Sequence, residues 1–407
     1  MKIQDAYIVD AARTPISNVR KGKSAYSEMH PVDLASALVK KLAERNSLKP
    51  EFIDDNRWAV TTPIAQQWKM GRFISLVGFG ESVPGCLELR EGGSGLDVIV
   101  SGIARASLGL NKLVIAGGSE DMSLVPLGAD GWPLPKDAET IERIKKEGVQ
   151  IVKETLPKSF FDKYKSFKTV LESAEIIAAN HNITRSDQDQ FALGSHQKAS
   201  KAWANGFYKE EVIPIQTPMN GLFEKDDGVR SDSTFEKLAA LKTLFQGGSV
   251  TPGNSSPLSV GAAGAVIANE DAVKEYHLIP KAKLKGYAVV GSNIEEQLTA
   301  PILAIPKALE NAGLKLEDIN LFQIGEAFAT EVLAIQKRLQ IPMEKINVNG
   351  GQIAIGHPPG ATGVNLVITG LHELQRRHAA GEGNDRYILV VLCIGFGQSV
   401  AAIFERL

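Results

Sequence analysis

The sequence predicts an α/β protein made of two related halves with a more polar segment inserted between them, and three observations predict it. Strand-like apolar runs alternate with helix-like stretches at both ends of the chain, the pattern of mixed sheets covered by helices. The two ends resemble each other: SLKPEFIDDNRWAV (47–60) and GLKLEDINLFQIGEAF (313–328) both follow an amphipathic helix and lead into an apolar strand. Between them, from about Glu120 to Phe245, the texture changes and Lys, Glu, Asp and Pro accumulate.

Taken in order, MKIQDAYIVDAARTP reads as a first strand, because its apolar residues alternate and it has neither a continuous apolar core nor a small-residue cleavage site. Gly92-Gly93-Ser94-Gly95-Leu96 then opens the apolar helix VIVSGIARASL, and Leu113 to Gly118 is a buried strand ending in glycines. Within the polar middle, helix signals run over 141–154 and 186–205. Ser186 with Asp189 marks a start for the second, and Gly206 stands where a stop is wanted. The second copy repeats the first: Gly360-Ala361-Thr362-Gly363-Val364 enters the helix LVITGLHELQRR, and Leu389 to Gly395 ends in glycine. Each half is expected to hold a mixed five-stranded sheet. The implied division is 1–119 for the first half, 120–250 for the insertion, 251–276 for the return to the first half, and 277–407 for the second.

Composition narrows the function. With 407 residues the chain has room for several domains, and 45 Lys+Arg against 47 Asp+Glu gives a net charge of −2. No basic stripe interleaved with aromatics is present, so nucleic acid is not an expected partner. Apolar runs such as 387–395 fall far short of the ~18 residues of a membrane span. Two cysteines are too few to staple a fold, which points to a reducing, cytoplasmic setting and makes a thiol a reagent rather than a brace. No metal site is read.

The strongest local signal is Asn347-Val-Asn-Gly-Gly-Gln-Ile-Ala-Ile-Gly-His357-Pro-Pro-Gly-Ala361-Thr-Gly363. A glycine-dense loop that presents one His and then opens a helix puts backbone N–H groups, a positive dipole end and an imidazole in one place, which suits an anionic oxygen. A second glycine-rich strand end, Cys393-Ile394-Gly395-Phe396-Gly397, carries one of the two thiols.

These two segments resemble the C-terminal signatures of the thiolases, acyl-CoA C-acyltransferases. The resemblance extends over nearly the whole chain through Ala6 to Pro15, Ile115 to Ser123, Asp187 to Gln197 and the turn Thr251-Pro-Gly-Asn254-Ser-Ser256. It implies the thiolase-type fold, two related mixed-sheet halves in α-β-α-β-α layers with an inserted loop domain, and assembly as a homodimer or homotetramer. It also implies coenzyme A or an acyl-CoA as substrate or ligand, with no tightly bound cofactor. In the family's reversible Claisen chemistry one cysteine takes the acyl group, a His lowers that thiol's pKa, and a second cysteine moves a proton on the α-carbon. His357 falls on the activating His and Cys393 on the acid/base thiol.

Where the family's N-R-x-C-x-S-G-L motif carries its nucleophile, this sequence has Gly92, which can form no acyl-enzyme. Cys86, upstream on the preceding strand, reads as a core thiol, and Ser94 as a structural serine of the helix start. Three further elements depart from the pattern. Gly325 stands where the family's N-E-A-F or H-E-A-F helps hold an oxyanion, Phe396 where close backbone approach is usual, and Glu172 on the acyl-facing side. The resemblance assigns CoA contacts to Arg230, Phe245, Ser256 and Phe328. The lysines at 145, 146, 153, 158, 163, 165 and 168 read as a solvated face. Three readings follow. One is acyl-CoA chemistry by His357 and Cys393 without a covalent step, Glu172 or Glu326 supplying a carboxylate. Another is a non-catalytic CoA-thioester binder or supporting subunit. A third is an ordinary acetyl-CoA C-acyltransferase whose cysteine has been exchanged for glycine.

Overall fold

A computed structural model describes residues 3–125, 156–164 and 168–407. The helix signal over 141–154 and the lysines at 145, 146, 153 and 165 lie outside them.

The first half runs β1 (Ala6–Arg13), β2 (Ser17–Asn18), α1 (Pro31–Arg45), β3 (Asp55–Ala59), α2 (Met70–Gly78), β4 (Gly85–Glu88), α3 (Ser94–Ser107) and β5 (Leu113–Asp121). The sequence dictates α1 locally. Pro31 opens it, the His30 ring accepts from the Val32 N–H, and Leu34, Leu38 and Leu42 recur on one buried face. Burying each of those leucines contributes about 1.5–3 kcal/mol.

The inserted segment carries α4 (Lys158–Lys163), α5 (Val170–Asn180), α6 (Arg185–Ala204), the hairpin β6 (Ile215–Thr217) and β7 (Gly221–Phe223), and α7 (Phe235–Ala239). Both long helices begin with reciprocal caps, Thr169 with Glu172 and Thr184 with Asp187. The start of α6 therefore lies slightly before the expected Ser186, because Thr184 rather than Ser186 is the cap. Gly206, at φ 73°, ends the helix as expected.

β8 (Ser259–Asn269) returns to the first half and α8 (Glu270–Glu275) leads out of it. The second half then follows as β9 (Ala282–Gly291), α9 (Pro301–Ala312), β10 (Leu321–Ile324), α10 (Ala329–Leu339), α11 (Gln352–Ile355), α12 (Pro359–Ala379), β11 (Tyr387–Ile394) and β12 (Gln398–Arg406).

Strand order establishes the repeat. The first half reads β1-β8-β5-β3-β4 and the second β9-β12-β11-β10, with the same succession of antiparallel and parallel pairs. The second half differs from the expected five strands. Its fifth place, the counterpart of β4, holds only a parallel bridge between Phe322 and Ile346, because residues 343–345 turn as a short 3-10 helix instead of extending. The two sheets also join into one through a short β1–β9 contact at Tyr7–Lys283 and Ile8–Ala282.

Period-two alternation sorts the strands' side chains into layers. Val114 and Ala116 of β5 face inward with Leu96 and Ile99 of α3, Val364 and Val367 of α12, and Val390 and Leu392 of β11. Leu113 and Ile115 face the other way onto α1, as Leu389 and Val391 of β11 face α9 and α10. Helices α3 and α12 thus form a central layer between two sheet faces, and their N-terminal turns carry the glycines repeated in the two copies. Among the described residues no helix is long and apolar enough to cross a membrane.

Candidate functional site

Three turns meet at one end of the central helices. The turn into α3 holds Glu91 in the left-handed region, at φ 46°, immediately before Gly92. Ser94 fixes this turn: its hydroxyl accepts from the Arg90 N–H at 2.7 Å and donates to the Glu91 carbonyl at 2.6 Å. That leaves Ser94 committed to structure. Gly95 packs against the turn into α12, where a methyl group would lie 2.7 Å from the Gly360 carbonyl, and one on Gly363 would collide with the Leu96 backbone. Glu120 ties the same junction together by accepting from the Thr61, Thr62 and Gly360 N–H groups at 2.8, 3.0 and 3.0 Å. Burial pushes the Glu120 carboxyl up to about 7 while the three donors favour its ionised form.

Gly92 differs from these glycines. A side chain there would begin 3.1 Å from the Cys393 carbonyl oxygen, a tight contact, with no other atom of a non-neighbouring described residue within 4 Å. The position assigned to the lost nucleophile thus lies beside the strand end that carries the second thiol. A side chain there would require that carbonyl to give by a few tenths of an ångström.

His357 is carried by the α11–α12 turn. Gly356, at φ 117° with Ile16 and Ser259 pressed against it, admits no side chain. The Ser259 hydroxyl accepts the His357 N–H at 3.0 Å, and Nδ1 lies 2.8 Å from the Thr362 hydroxyl. Thr362 donates its own proton to the Pro358 carbonyl at 2.9 Å, so towards the imidazole it acts as an acceptor. That assigns the proton to Nδ1 and leaves the Nε2 lone pair available. Desolvation pushes His357 down to about 4, which keeps the ring neutral at physiological pH.

Cys393 ends β11 and packs among Phe328, Leu298 and Ile177. Burial, and then Glu331, push its thiol well above the usual range. Glu331 lies in the first turn of α10, is 0% exposed, and among the described residues forms no hydrogen bond of ordinary geometry through either carboxylate oxygen. Its environment includes the Cys393 thiol and the backbone at Ala327 and Phe328, and burial pushes it up to about 8. Sequence inspection missed this residue. A glutamate in a helix's first turn reads as a solvated partner of the dipole; the available signal was its place one turn before Ile335 on the buried stripe of α10.

The other expected positions fall into two groups. Phe328 and Ser256 adjoin the site: Phe328 is buried and bridges Ser255, the Ser256 N–H bonds the Ala327 carbonyl at 2.9 Å, and Leu258 bridges His357. Gly325 bonds the Val391 carbonyl, and a side chain there would press on Leu392 at 3.2 Å. Arg230 and Phe245 stand at the surface of the inserted segment, Arg230 held through its backbone N–H to His196. Among the described residues no hydrogen bond or ring contact joins either of them to His357 or Cys393.

Two carboxylates named from the sequence are committed elsewhere. Glu172 caps α5, and buried Glu326 accepts from Asn347, Ser195 and the Ile353 N–H at 2.7, 2.8 and 3.1 Å. Phe396 sits at φ 61°, a left-handed conformation unusual for a bulky residue, with its ring edge-on to Phe160 of α4 at 6.2 Å. A separate cavity of about 470 Å³ lies between α6 and α10, lined by Phe191, Lys198, Leu333 and Lys337 among others. None of Gly92, Gly325, His357 and Cys393 lines it.

The arrangement combines a neutral imidazole with one free lone pair, a partly buried thiol that holds its proton, and the N-termini of α3 and α12. Helix N-termini favour negative charge developing on an oxygen.

Comparison with known proteins agrees over the full length. The model of the thiolase N-terminal domain matches residues 6–271 and that of the thiolase C-terminal domain residues 278–406. The chain is 34% identical to the 3-ketoacyl-CoA thiolase of Bacillus subtilis (strain 168), over 99% of this chain and 100% of that one. It is 33% identical to the peroxisomal 3-ketoacyl-CoA thiolase 1 of Arabidopsis thaliana, over 99% of this chain and 88% of that one. Among solved structures, the Bacillus anthracis acetyl-CoA acetyltransferase superposes with a TM-score of 0.85 at 32% identity, with 100% of both chains covered. The human mitochondrial 3-ketoacyl-CoA thiolase in complex with CoA also gives 0.85, at 30% identity, covering 100% of this chain and 99% of that one.

Proposed function

The chain belongs to the thiolase family of acyl-CoA acyltransferases, and on that premise we propose that it binds acyl-CoA thioesters and cleaves or joins the C2–C3 bond of the acyl chain without an acyl-enzyme. One observation carries this reading: a side chain at position 92 would start 3.1 Å from the Cys393 carbonyl, so the first thiol's place adjoins the second's, yet the residue is glycine.

The chemistry that fits is retro-aldol cleavage of a 3-hydroxyacyl-CoA. His357 Nε2 takes the hydroxyl proton, the C2–C3 bond breaks to leave an aldehyde or ketone, and the enolate of the shortened acyl-CoA takes a proton at C2 from Cys393. No nucleophile at position 92 is required. The helix N-termini stabilise the enolate oxygen. Ser256 and Phe328 line the approach of the pantetheine, and Arg230 and Phe245 meet the CoA end. Gly325 removes a side chain beside the thioester oxygen.

Assembly as a homodimer or homotetramer belongs to the same proposal, supported by exposed Trp68, Val77 and Leu89 near the edge strand β4. Cytoplasmic placement is supported by two free cysteines, and the four-part division at 119, 250 and 276 by the strand repeat.

The test presents a series of 3-hydroxyacyl-CoAs and follows carbonyl product and shortened acyl-CoA. Cleavage that disappears in His357→Ala supports the reading. CoA binding without cleavage identifies a non-catalytic binder and overturns it.

A further inference from the structure

Glu331 has no role in the chemistry above, and its placement calls for one. A carboxyl group with 0% exposure and no hydrogen bond of ordinary geometry is costly unless it serves its neighbour. That neighbour is Cys393, which packs in the same buried cluster as Phe328 and Ala334, the residues flanking Glu331 along α10; its thiol also acts on the Glu331 carboxyl group. The two come from different elements, Glu331 from the first turn of α10 and Cys393 from the end of β11, so the pairing is made by tertiary packing.

We propose that Glu331 and Cys393 form one proton-holding pair, in which Glu331 is the positioning residue that restores the proton Cys393 gives to carbon. This rests on the acyl-CoA reading above and deepens it. In the cleavage direction the Cys393 S–H bond breaks as a C–H bond forms at C2. The thiolate then takes the proton of the Glu331 carboxyl group, leaving a carboxylate that is reprotonated from solvent between turnovers. In the joining direction the same steps run in reverse, and no further reactant is needed.

The surroundings support a neutral pair at rest. Burial pushes Glu331 up to about 8, so it retains its proton at neutrality, and Cys393 is held well above its ordinary range. The buried carboxylate Glu326 adds to the reluctance of Glu331 to ionise, and Lys198 of α6 acts on Glu326. On α5, which also packs against α10, Glu172 holds the helix cap and Glu175 binds Ser249 and the Val250 N–H. Neither of those carboxylates is available to substitute for Glu331.

The experiment uses the intact protein and the isosteric variant Glu331→Gln, with Glu331→Asp as the conservative control and CoA binding measured on all three. Two readouts are taken across pH 6–10. One is the alkylation rate of Cys393 by iodoacetamide, resolved by peptide mass with Cys86 as internal reference. The other is deuterium incorporation at C2 of acetyl-CoA in heavy water.

Removing the carboxyl group is expected to raise the Cys393 alkylation rate at pH 8 by about tenfold, the effect of one pKa unit, while Cys86 is unchanged. Exchange at C2 should fall by about tenfold or more in Glu331→Gln and recover in part in Glu331→Asp. Alkylation and exchange unaltered by Glu331→Gln overturn the pairing. A thiol that accelerates while the unaltered protein shows no exchange supports the pair and counts against the catalytic reading, so the two failures are separable.

Discussion

The turns that enter α3 and α12 occupy equivalent places in two copies of one structural unit, yet they carry different chemistry. The copy before α12 presents His357, with Thr362 fixing its tautomer. The copy before α3 presents only backbone at Gly92. Packing constrains the glycines of the two turns to different degrees. Gly95 and Gly363 are glycine because each helix start touches the other's backbone, whereas a side chain at Gly92 would meet a single described atom, the Cys393 carbonyl oxygen, at a tight 3.1 Å. Glycine at the contact is required by the fold, and glycine at position 92 is, on the proposed reading, a difference in chemistry.

The largest effects should fall on the groups proposed to react in the second copy. Cys393→Ala is expected to lower cleavage by about 10²–10⁴-fold, and His357→Ala by a similar factor, with CoA affinity kept; steady-state kinetics beside calorimetric CoA titration will check both. Retained cleavage in Cys393→Ala would place the proton donor elsewhere.

Next comes the contact between the copies. Gly363→Ala drives a methyl group into the Leu96 backbone and should destabilise the protein by about 3 kcal/mol or more, measured by urea unfolding. Gly92→Cys is the contrasting substitution and should change stability by no more than about 1 kcal/mol. A Gly92→Cys variant that fails to fold would show that position 92 is as sterically closed as position 363.

A smaller effect concerns pH. Glu331 is raised to about 8 in the folded protein against 4.5 as its ordinary value, so the folded state holds its proton more tightly than the unfolded one. Its stability contribution is fully present below 4.5 and is lost as pH rises through about 8. Glu331→Gln should therefore be the more stable form at pH 9, by roughly 1–3 kcal/mol. His357, lowered to about 4 from 6.5, acts at the opposite end, and stability falls as pH drops from 6.5 towards 4. Denaturant melts of both proteins at pH 4.5, 6.5 and 9 distinguish the two groups.

Much of the fold was legible because it is repeated. The matching segments at 47–60 and 313–328, and the two glycine turns into apolar helices, define corresponding helices and strands in the two halves. The missing fifth strand was not legible, since the region around Ile346 has strand-compatible residues that a short turn diverts. Of the site, His357 and Cys393 could be picked out as one His in a glycine-rich loop and one of only two thiols. Glu331 could not, because its role depends on α10 turning it inward against β11, and no local rule separates a buried first-turn glutamate from a solvated one. Glu172 and Glu326 show the converse: each has a motif position near the chemistry, but Glu172 is held by the Thr169-x-x-Glu172 cap, which the sequence carries, and Glu326 by tertiary hydrogen bonds, which it does not.

The most direct measurement is to incubate the unaltered protein with a 3-hydroxyacyl-CoA and weigh both products and protein by mass spectrometry. The expected result is a carbonyl compound and a shortened acyl-CoA in equal amounts, with the protein mass unchanged. A protein heavier by one acyl group and an equivalent of free CoA would contradict it, as would a bound thioester that stays intact.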